Sequence, residues 1–316
     1  MDASIISLYA KAVTFKPIFT KTTSPKLPIY TRQKSISVVP SHFSAYNKLI
    51  NWQTRDEQIV HPNYIQTLSL PMQLDMMVQD TFPFKPLGLV HIGNKIKVVQ
   101  SPRVFDQLTL VTEFGEIYFH KRGWLFEVIT KAFIKNRTNE IHPNKVNAEP
   151  AVIGTSLYLA RTTHNKDNFD LDSTNFSEIP AWLKANQNQL LDSSEHSDKI
   201  ASFEFQSDVG RKYAKVSGDY NPIHLHPFTA KILGFKKAIA HGMYSKAIAI
   251  SEMLNQSLIR SEQVEINTVF SQPIALPTNV DMLCQQGEVQ NQNVFKLASN
   301  CRNKLRIHLS GQVNQL

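Results

Sequence analysis

Apolar side chains recur at every second position over much of residues 89–161. The clearest case is the segment 124–131, where Trp124, Phe126 and Val128 alternate with more polar neighbours, a pattern typical of a strand with one buried face. We predict strands near residues 95–98, 108–110, 124–131 and 152–161. The segment 71–79 is apolar without alternation and predicts a short helix with Pro71 in its first turn, where the missing N–H is tolerated.

The second half of the chain repeats this order of elements. Residues 242–254 are apolar on nearly every face, which predicts a buried helix. Upstream, Phe203 is predicted to begin a strand, and a helix from Asp208 is predicted to end at a left-handed Gly218. Alternating segments follow the buried helix at 264–270, 280–284, 295–301 and 305–309. A buried helix followed by antiparallel strands, present twice, predicts an α+β protein built from two copies of one module.

Length and composition agree with two units. The chain has 316 residues, of which 42% are hydrophobic, so it can bury two cores and is not disordered as a whole. Residues 1–66 are expected to form an N-terminal arm, 67–161 the first unit and 201–316 the second. The segment 162–200 carries seven acids and three bases among Asn, Ser and Thr, which predicts a polar linker. A short docked helix is expected within it at 179–183.

Charge and cysteine content narrow the class of protein. There are 34 Lys plus Arg against 26 Asp plus Glu, a net charge of +8 that favours an anionic partner. Dense basic runs with interleaved aromatics are absent from the sequence, as are glycine-rich phosphate loops, so we expect no nucleic acid and no nucleotide cofactor. Cys284 and Cys301 are expected to be reduced thiols at buried or half-buried strand positions, which indicates a cytoplasmic protein. No apolar run is long enough to predict a membrane span.

The segment 217–224 is the first candidate for chemistry. Its predicted helix stops at Gly218, and a loop stiffened by Pro222 brings Asp219, Asn221 and His224 together. A carboxylate and an imidazole that share a water are suited to acid–base catalysis. Taken alone, the same residues are more typical of a capping turn.

A metal site is a second interpretation of this loop. His224 and His226 form a His-x-His pair. No third ligand follows at a zinc-like spacing, so we predict no metal.

The segment 239–245 is the second candidate for chemistry. It leads directly into the predicted buried helix, so the N–H of Gly242 lies at a helix N-terminus, where partial positive charge accumulates. A glycine there lets another group approach the backbone, and such an N–H can bind a developing oxyanion. Taken alone, the segment is an ordinary helix start with His241 packed on a neighbour.

Together and in this order, the two segments resemble the MaoC-like family of (R)-specific enoyl-CoA hydratases, or type 2 hydratases. The resemblance rests on Ser-Gly-Asp-Tyr-Asn-Pro-Ile-His at 217–224 and Ile-Ala-His-Gly-Met at 239–243. It extends over about residues 201–314 through Ala230, Gly234-Phe235, Gln272-Pro273 and Leu276-Pro277. The stretch 82–92 resembles the degenerate N-terminal half of two-hot-dog members. The resemblance implies a double hot-dog fold, in which an antiparallel sheet wraps a long central helix in each unit.

The resemblance also implies an activity. Asp219 and His224 would hold the water that adds to the β-carbon of a trans-2-enoyl thioester, reversibly giving an (R)-3-hydroxyacyl thioester. Asn221 would shape the loop, and the Gly242 N–H would bind the thioester carbonyl as it becomes enolate-like. Which of Asp219 and His224 acts as base stays open, because two groups that share a proton titrate as a pair. The protein is thus expected to be a hydro-lyase that needs no cofactor.

Several residues near the thioester follow from the same resemblance. His241, Met243 and Ser245 are expected to bind substrate. Some members place a serine on the central helix where this chain has Ile250, which leaves Ser245 or Ser251 as substitutes. The first unit lacks both catalytic motifs and is expected to be non-catalytic, with His91 as a structural residue.

Two alternatives use the same fold. One is a thioesterase, in which bulk water attacks the carbonyl, and the other is a non-catalytic protein that binds acyl thioesters. The expected substrate carrier is coenzyme A or acyl carrier protein, since both are anionic. The oligomeric state is expected to be a monomer, with its two units as a pseudo-dimer, or a homodimer.

Overall fold

The computed structural model describes residues 3–16, 25–54, 56, 58–135, 149–161, 178–184, 197–286, 291–301 and 304–316. The strands of the first half are β1 (Thr31–Ser37), β2 (Leu89–Val98), β3 (Gln107–His120), β4 (Gly123–Ile134) and β5 (Val152–Arg161). Those of the second half are β6 (Asp198–Phe205), β7 (Val264–Phe270), β8 (Thr278–Gln286), β9 (Gln292–Cys301) and β10 (Lys304–Gln315). The helices are α1 (Ala3–Thr14), α2 (Pro40–Leu49), α3 (Tyr64–Met77), α4 (Val209–Ser217), α5 (Pro222–Leu225), α6 (Pro227–Ile232) and α7 (Gly242–Asn255).

These strands form one antiparallel sheet in the order β1-β3-β4-β5-β2-β7-β10-β9-β8-β6. Numbered within its own half, each set of five strands has the same order, 1-3-4-5-2, and a central helix, α3 or α7, lies between its first and second strands in sequence. The two sets join where β2 pairs with β7, from Gly93 opposite Val269 to Val98 opposite Val264. The chain is therefore a double hot-dog, which confirms the predicted fold class.

The position of helix α7 in the fold explains why its residues are apolar on nearly every face. Its side chains Ala247, Ala249 and Ile250 are fully buried, because the sheet covers one side of the helix and the first unit approaches the other. Tyr64 and Met72 of α3 belong to the same continuous hydrophobic core. A helix in such a place needs an apolar surface almost all round.

Two elements differ from the sequence prediction. Helix α3 begins at Tyr64 rather than near Pro71, and Pro71 lies inside it. A proline in a helix interior costs about 3 kcal/mol, which the burial of large side chains such as Tyr64 and Ile65 offsets. Strand β6 ends at Phe205 rather than beginning at Phe203, because pairing with β8 starts at Asp198 opposite Cys284. Its alternation is weak because this edge strand is mostly exposed.

The unit boundaries also differ in part from the predicted ones. The segment predicted as an arm supplies β1, which pairs with β3 along its whole length from Thr31 to Ser37, so the first unit begins before residue 67. Residues 162–177 and 185–196 of the predicted linker lie outside the described residues. Residues 181–184 are helical, close to the predicted docked helix.

Two further predictions concern cysteines and the membrane. Both cysteines are free; Cys284 is buried, but Cys301 is exposed near the end of β9, against the prediction of a covered position. Within the described ranges, no helix is long and apolar enough to cross a membrane.

Candidate active site

The loop after α4 is shaped by short hydrogen bonds within it. Gly218 ends α4 with a φ of 74°, the left-handed conformation predicted from the sequence. The N–H of Asp219 then donates to Ser217 Oγ at 3.1 Å, and the N–H of Asn221 donates to Asp219 Oδ1 at 3.2 Å. Asn221 Oδ1 in turn accepts from the N–H of Ile223 at 3.4 Å and caps α5. Asn221 therefore takes part in two of the hydrogen bonds that order this loop.

His224 is held in one tautomer. Its Nδ1 lies 2.8 Å from the carbonyl oxygen of Ile239, and because a carbonyl can only accept, Nδ1 carries the proton. Nε2 of a neutral His224 is then left as a lone-pair acceptor. The side chain is buried, and its ring stacks on that of His241 with centroids 3.7 Å apart.

His241 links the loop to the central helix. It is the residue that precedes α7, and its Nε2 lies 3.0 Å from the carbonyl oxygen of Asp219 and 3.8 Å from Asp219 Oδ2. Two parts of the sequence that are about twenty residues apart are therefore fixed against each other. His241, which was expected to bind substrate, lines the cavity described below and also contacts both His224 and Asp219.

The cluster of Asp219, His224 and His241 brings its donor atoms within 4.8 Å of one another. The two imidazole planes are stacked at 29°, and one nitrogen of each ring already faces a backbone carbonyl, Nδ1 of His224 at 2.8 Å and Nε2 of His241 at 3.0 Å. His226 is turned elsewhere, since its Nδ1 accepts from the N–H of Phe228 and caps α6. The His224/His226 pair therefore does not form the metal site considered from the sequence.

The charges of the pair are set by burial and by each other. Burial by itself would raise the pKa of the Asp219 carboxyl, but the imidazoles of His241 and His224 and two hydrogen bonds outweigh it, so the pKa lies below its ordinary value. Burial lowers the pKa of His224, although the Asp219 carboxylate opposes this. At neutral pH the site therefore combines an ionised carboxylate with a neutral imidazole.

One cavity of about 410 Å³ contains this cluster. The second unit supplies Asp219, His224 and Gly242 to its wall, and the first unit supplies Gln73 and Tyr158. The hydroxyl of Tyr158 donates to Gln73 Oε1 at 3.1 Å, so these two residues of the first unit are hydrogen-bonded to each other. The cavity therefore depends on both units, although the acid–base residues come from one.

Gly242 is the first residue of α7 and lines the cavity. The first N–H groups of a helix have no partner within the helix, so this one is available to an acceptor in the cavity. A Cβ at Gly242 would lie 3.1 Å from the ring of Phe270, closer than an ordinary van der Waals contact, so Phe270 would have to move by a few tenths of an ångström. The structure therefore places Gly242 at the start of α7 and at the cavity wall, in close contact with Phe270.

The structure separates the two serines that could stand in for Ile250. Ile250 is fully buried in the core, and Ser251 Oγ lies 3.3 Å from Nε2 of the buried His61; neither residue lines the cavity. Ser245 does line it, and its hydroxyl donates to the carbonyl oxygen of His241 at 3.1 Å. Met243, the other predicted substrate-binding residue, lines the cavity as well.

Three residues contact the site although none of them was predicted to lie there. Tyr9 of α1 donates from its hydroxyl to Asp219 Oδ1 at 2.9 Å. His91 of β2, expected to be a structural residue, lines the cavity and stacks on Tyr158 with centroids 4.7 Å apart. Gly210 of α4 packs directly against the backbone of His224. Each lies far in sequence from its partner or carries no motif, so only the fold brings them together.

The stability of the protein is expected to fall as the pH is lowered from 7 to 5. Burial lowers the pKa of His61 to about 3, of His91 to about 4 and of His241 to about 3. Below about pH 6.5 these side chains bind protons in the unfolded chain but not in the folded one. Each histidine therefore contributes to the free energy of unfolding above pH 6.5, and this contribution is lost as the pH falls toward the pKa of the ring in the folded protein. The loss is about 2 kcal/mol per group at pH 5.

Urea unfolding at pH 7, 6 and 5 would measure this loss. The variant His61→Gln removes one titrating ring from the core, so its free energy of unfolding should decline less over the same range. An identical decline in both proteins would contradict the assignment to buried histidines.

Comparison with known proteins agrees with this architecture. Residues 193–305 match a family model described as "MaoC like domain". The 3-hydroxyacyl-thioester dehydratase X of Mycobacterium tuberculosis is 23% identical over 255 residues, which cover 81% of this chain and 79% of that protein. The crystal structure of a MaoC-like dehydratase from Phytophthora capsici superposes with a TM-score of 0.71 at 18% identity, covering 92% of this chain and 97% of that one.

A second solved structure shares the two-unit architecture. It is a conserved hypothetical protein of Mycobacterium tuberculosis described as a double hotdog fold, with a TM-score of 0.53 and 10% identity over 90% of this chain and 94% of that one. Fold and comparisons together define a double hot-dog protein whose residues 193–305 match the MaoC-like domain. Over 81% of its length the chain is similar to a 3-hydroxyacyl-thioester dehydratase.

Proposed function

We propose that the protein reversibly hydrates trans-2-enoyl thioesters to (R)-3-hydroxyacyl thioesters. The observation that carries the proposal is that the Asp219 carboxylate, the His224 imidazole and the Gly242 N–H line one cavity. The first two can hold a water, and the third can bind a thioester oxygen. The names of the similar proteins, which describe dehydratases, support the same reaction class.

The reaction balances with these groups alone. The oxygen of the held water bonds to the β-carbon, and one proton of that water passes to the Asp219/His224 pair. The pair returns one proton to the α-carbon, so the site ends as it began. Negative charge that develops on the thioester oxygen would be stabilised by the Gly242 N–H at the positive end of α7. Asp219 and His224 are coupled, so the pair, and not one member, is assigned the proton transfer.

The rim of the cavity suits an anionic carrier. Arg122 and Arg161 are exposed and line the cavity, and they lie close together because Gly123 pairs with Arg161 across β4 and β5. Guanidinium groups bind phosphate well, and both coenzyme A and the prosthetic group of acyl carrier protein carry phosphate. Either carrier therefore fits this rim.

The first unit would hold the acyl tail. Apolar residues of α3, namely Leu70, Leu74 and Met77, line the cavity beyond the acid–base cluster. The two units complete one cavity within a single chain, so a monomer can form the whole site.

A chain-length series of trans-2-enoyl-CoA substrates tests the proposal. We expect the enoyl absorbance to disappear, and chiral analysis of the product should give the (R)-3-hydroxyacyl thioester. Parallel assays with enoyl-acyl carrier protein would identify the carrier. Release of free thiol from acyl-CoA without loss of enoyl absorbance would instead indicate the thioesterase, and thermal stabilisation by enoyl-CoA without turnover on either carrier would indicate a binding protein.

A further inference from the structure

Helix α1 lies against the candidate active site although it precedes the strands and central helices of both units in the sequence. Ile5 and Ala12 are buried in an apolar cluster with Leu74 of α3 and Val78 just after it. Tyr220 packs on the same cluster and belongs to the loop after α4, residues 218–224, which we call the catalytic loop. Tyr9 contacts Tyr220 edge to face, with centroids 6.4 Å apart. The helix is thus fixed to both units at the place where Tyr9 reaches the cavity.

The hydroxyl of Tyr9 completes the hydrogen bonding of one carboxylate oxygen. Asp219 Oδ1 accepts from the Tyr9 hydroxyl at 2.9 Å and from the Asn221 N–H at 3.2 Å. Asp219 Oδ2 lies on the side of His241, 3.8 Å from its Nε2. With Oδ1 engaged twice, Oδ2 is the oxygen left to receive a water.

We propose that Tyr9 is a positioning residue that holds the Asp219 carboxylate in the orientation and the ionised state that the hydration reaction requires. This inference rests on the proposed function. Tyr9 acts through Asp219 and is not assigned any contact with the substrate. Burial and the nearby Asp219 raise the pKa of the Tyr9 phenol, so the hydroxyl remains a donor throughout the working range.

Tyr9 completes the site and does not block it. The cavity of about 410 Å³ is present with Tyr9 in place, and its lining includes Asp219, His224 and Gly242. A plug would instead separate these groups from the space that substrate must occupy.

The variant Tyr9→Phe tests the inference, because it removes the hydroxyl and keeps the ring that packs on α3 and Tyr220. We expect kcat for hydration to fall about tenfold, since hydrogen bonds to a charged group are among the stronger ones, while KM changes less than twofold. The Tyr9 hydroxyl lowers the pKa of Asp219, so its loss should move the acid limb of the kcat–pH profile to higher pH.

The matched control is Tyr30→Phe. The Tyr30 hydroxyl also makes a 2.9 Å hydrogen bond, to the carbonyl oxygen of Met76 near the end of α3, and it does not line the cavity. We expect unchanged kcat and an unchanged pH profile for this variant. Equal kinetics for the two variants would overturn the inference, and so would a higher kcat in Tyr9→Phe, which would mean that Tyr9 obstructs the site.

A titration of the Asp219 carboxyl by ¹³C NMR gives a readout that does not need turnover. A higher pKa in Tyr9→Phe than in the wild type and Tyr30→Phe supports the inference, whereas equal values overturn it. If the wild type hydrates no enoyl thioester, the proposed function fails, yet the titration still reports whether Tyr9 holds Asp219. If the wild type is active and the titration and kinetics are unchanged in the variant, only the inference fails.

Discussion

The variant Asp219→Asn is expected to hydrate enoyl thioesters about 10²–10⁴ times more slowly than the wild type, the range typical for loss of a general acid or base. Asparagine has nearly the same shape and can keep the bond from the Asn221 N–H, so the loop should persist. It carries no negative charge and cannot accept the proton of a water. Steady-state hydration of the best enoyl-CoA substrate measures the effect.

Asp208→Asn is the matched control for this variant. Asp208 precedes α4 and pairs with Lys212 at 3.0 Å, so the same charge is removed at the other end of the helix that leads to Asp219. Asparagine is also a good N-cap, and we expect activity near that of the wild type. Wild-type activity in Asp219→Asn would rule out the proposed mechanism. His224→Ala should lose activity in the same range, because it removes the other half of the pair.

The variant Gly210→Ala is expected to inactivate the site from outside the cavity. A Cβ at Gly210 would overlap the carbonyl oxygen of His224, and backbone cannot move aside as a flexible side chain can. The loop would have to shift and carry His224 away from Asp219. A displacement of about 1 Å can cost about 10²-fold in rate, and overpacking typically costs about 1–3 kcal/mol of stability.

Gly154→Ala makes the same chemical change where there is room. The nearest atom to a Cβ at Gly154 is Gln66 Oε1 at 3.6 Å, an ordinary van der Waals contact. We expect hydration activity and urea unfolding of this variant to stay close to wild type, and both to decline in Gly210→Ala. If Gly210→Ala is as stable and as active as Gly154→Ala, the contact between α4 and the catalytic loop does not fix the position of His224.

Local patterns predicted much of the fold. Strand β5 and helix α7 were predicted nearly to the residue, because a strand or helix with a fixed buried face repeats its apolar positions with its own period. Helix α3 was predicted to start seven residues too late, since Pro71 is a poor helix residue and only the burial of Tyr64 and Ile65 reveals why the helix begins earlier. Strand β6 is mostly exposed at the sheet edge, so its sequence lacks the alternation that would have revealed its start.

Short-range periodicity and motifs within about thirty residues were enough to predict two α+β units, a left-handed turn at Gly218 and the candidate residues of the site. The packing of the folded chain was needed to show that β2 and β7 join the units into one sheet, that Ser245 and not Ser251 reaches the cavity, and that Tyr9 contacts Asp219. Those contacts join residues from distant parts of the chain or depend on how helices pack, and no local pattern encodes them. The net positive charge indicated an anionic partner, and the fold placed Arg122 and Arg161 together at the rim where its phosphate would bind.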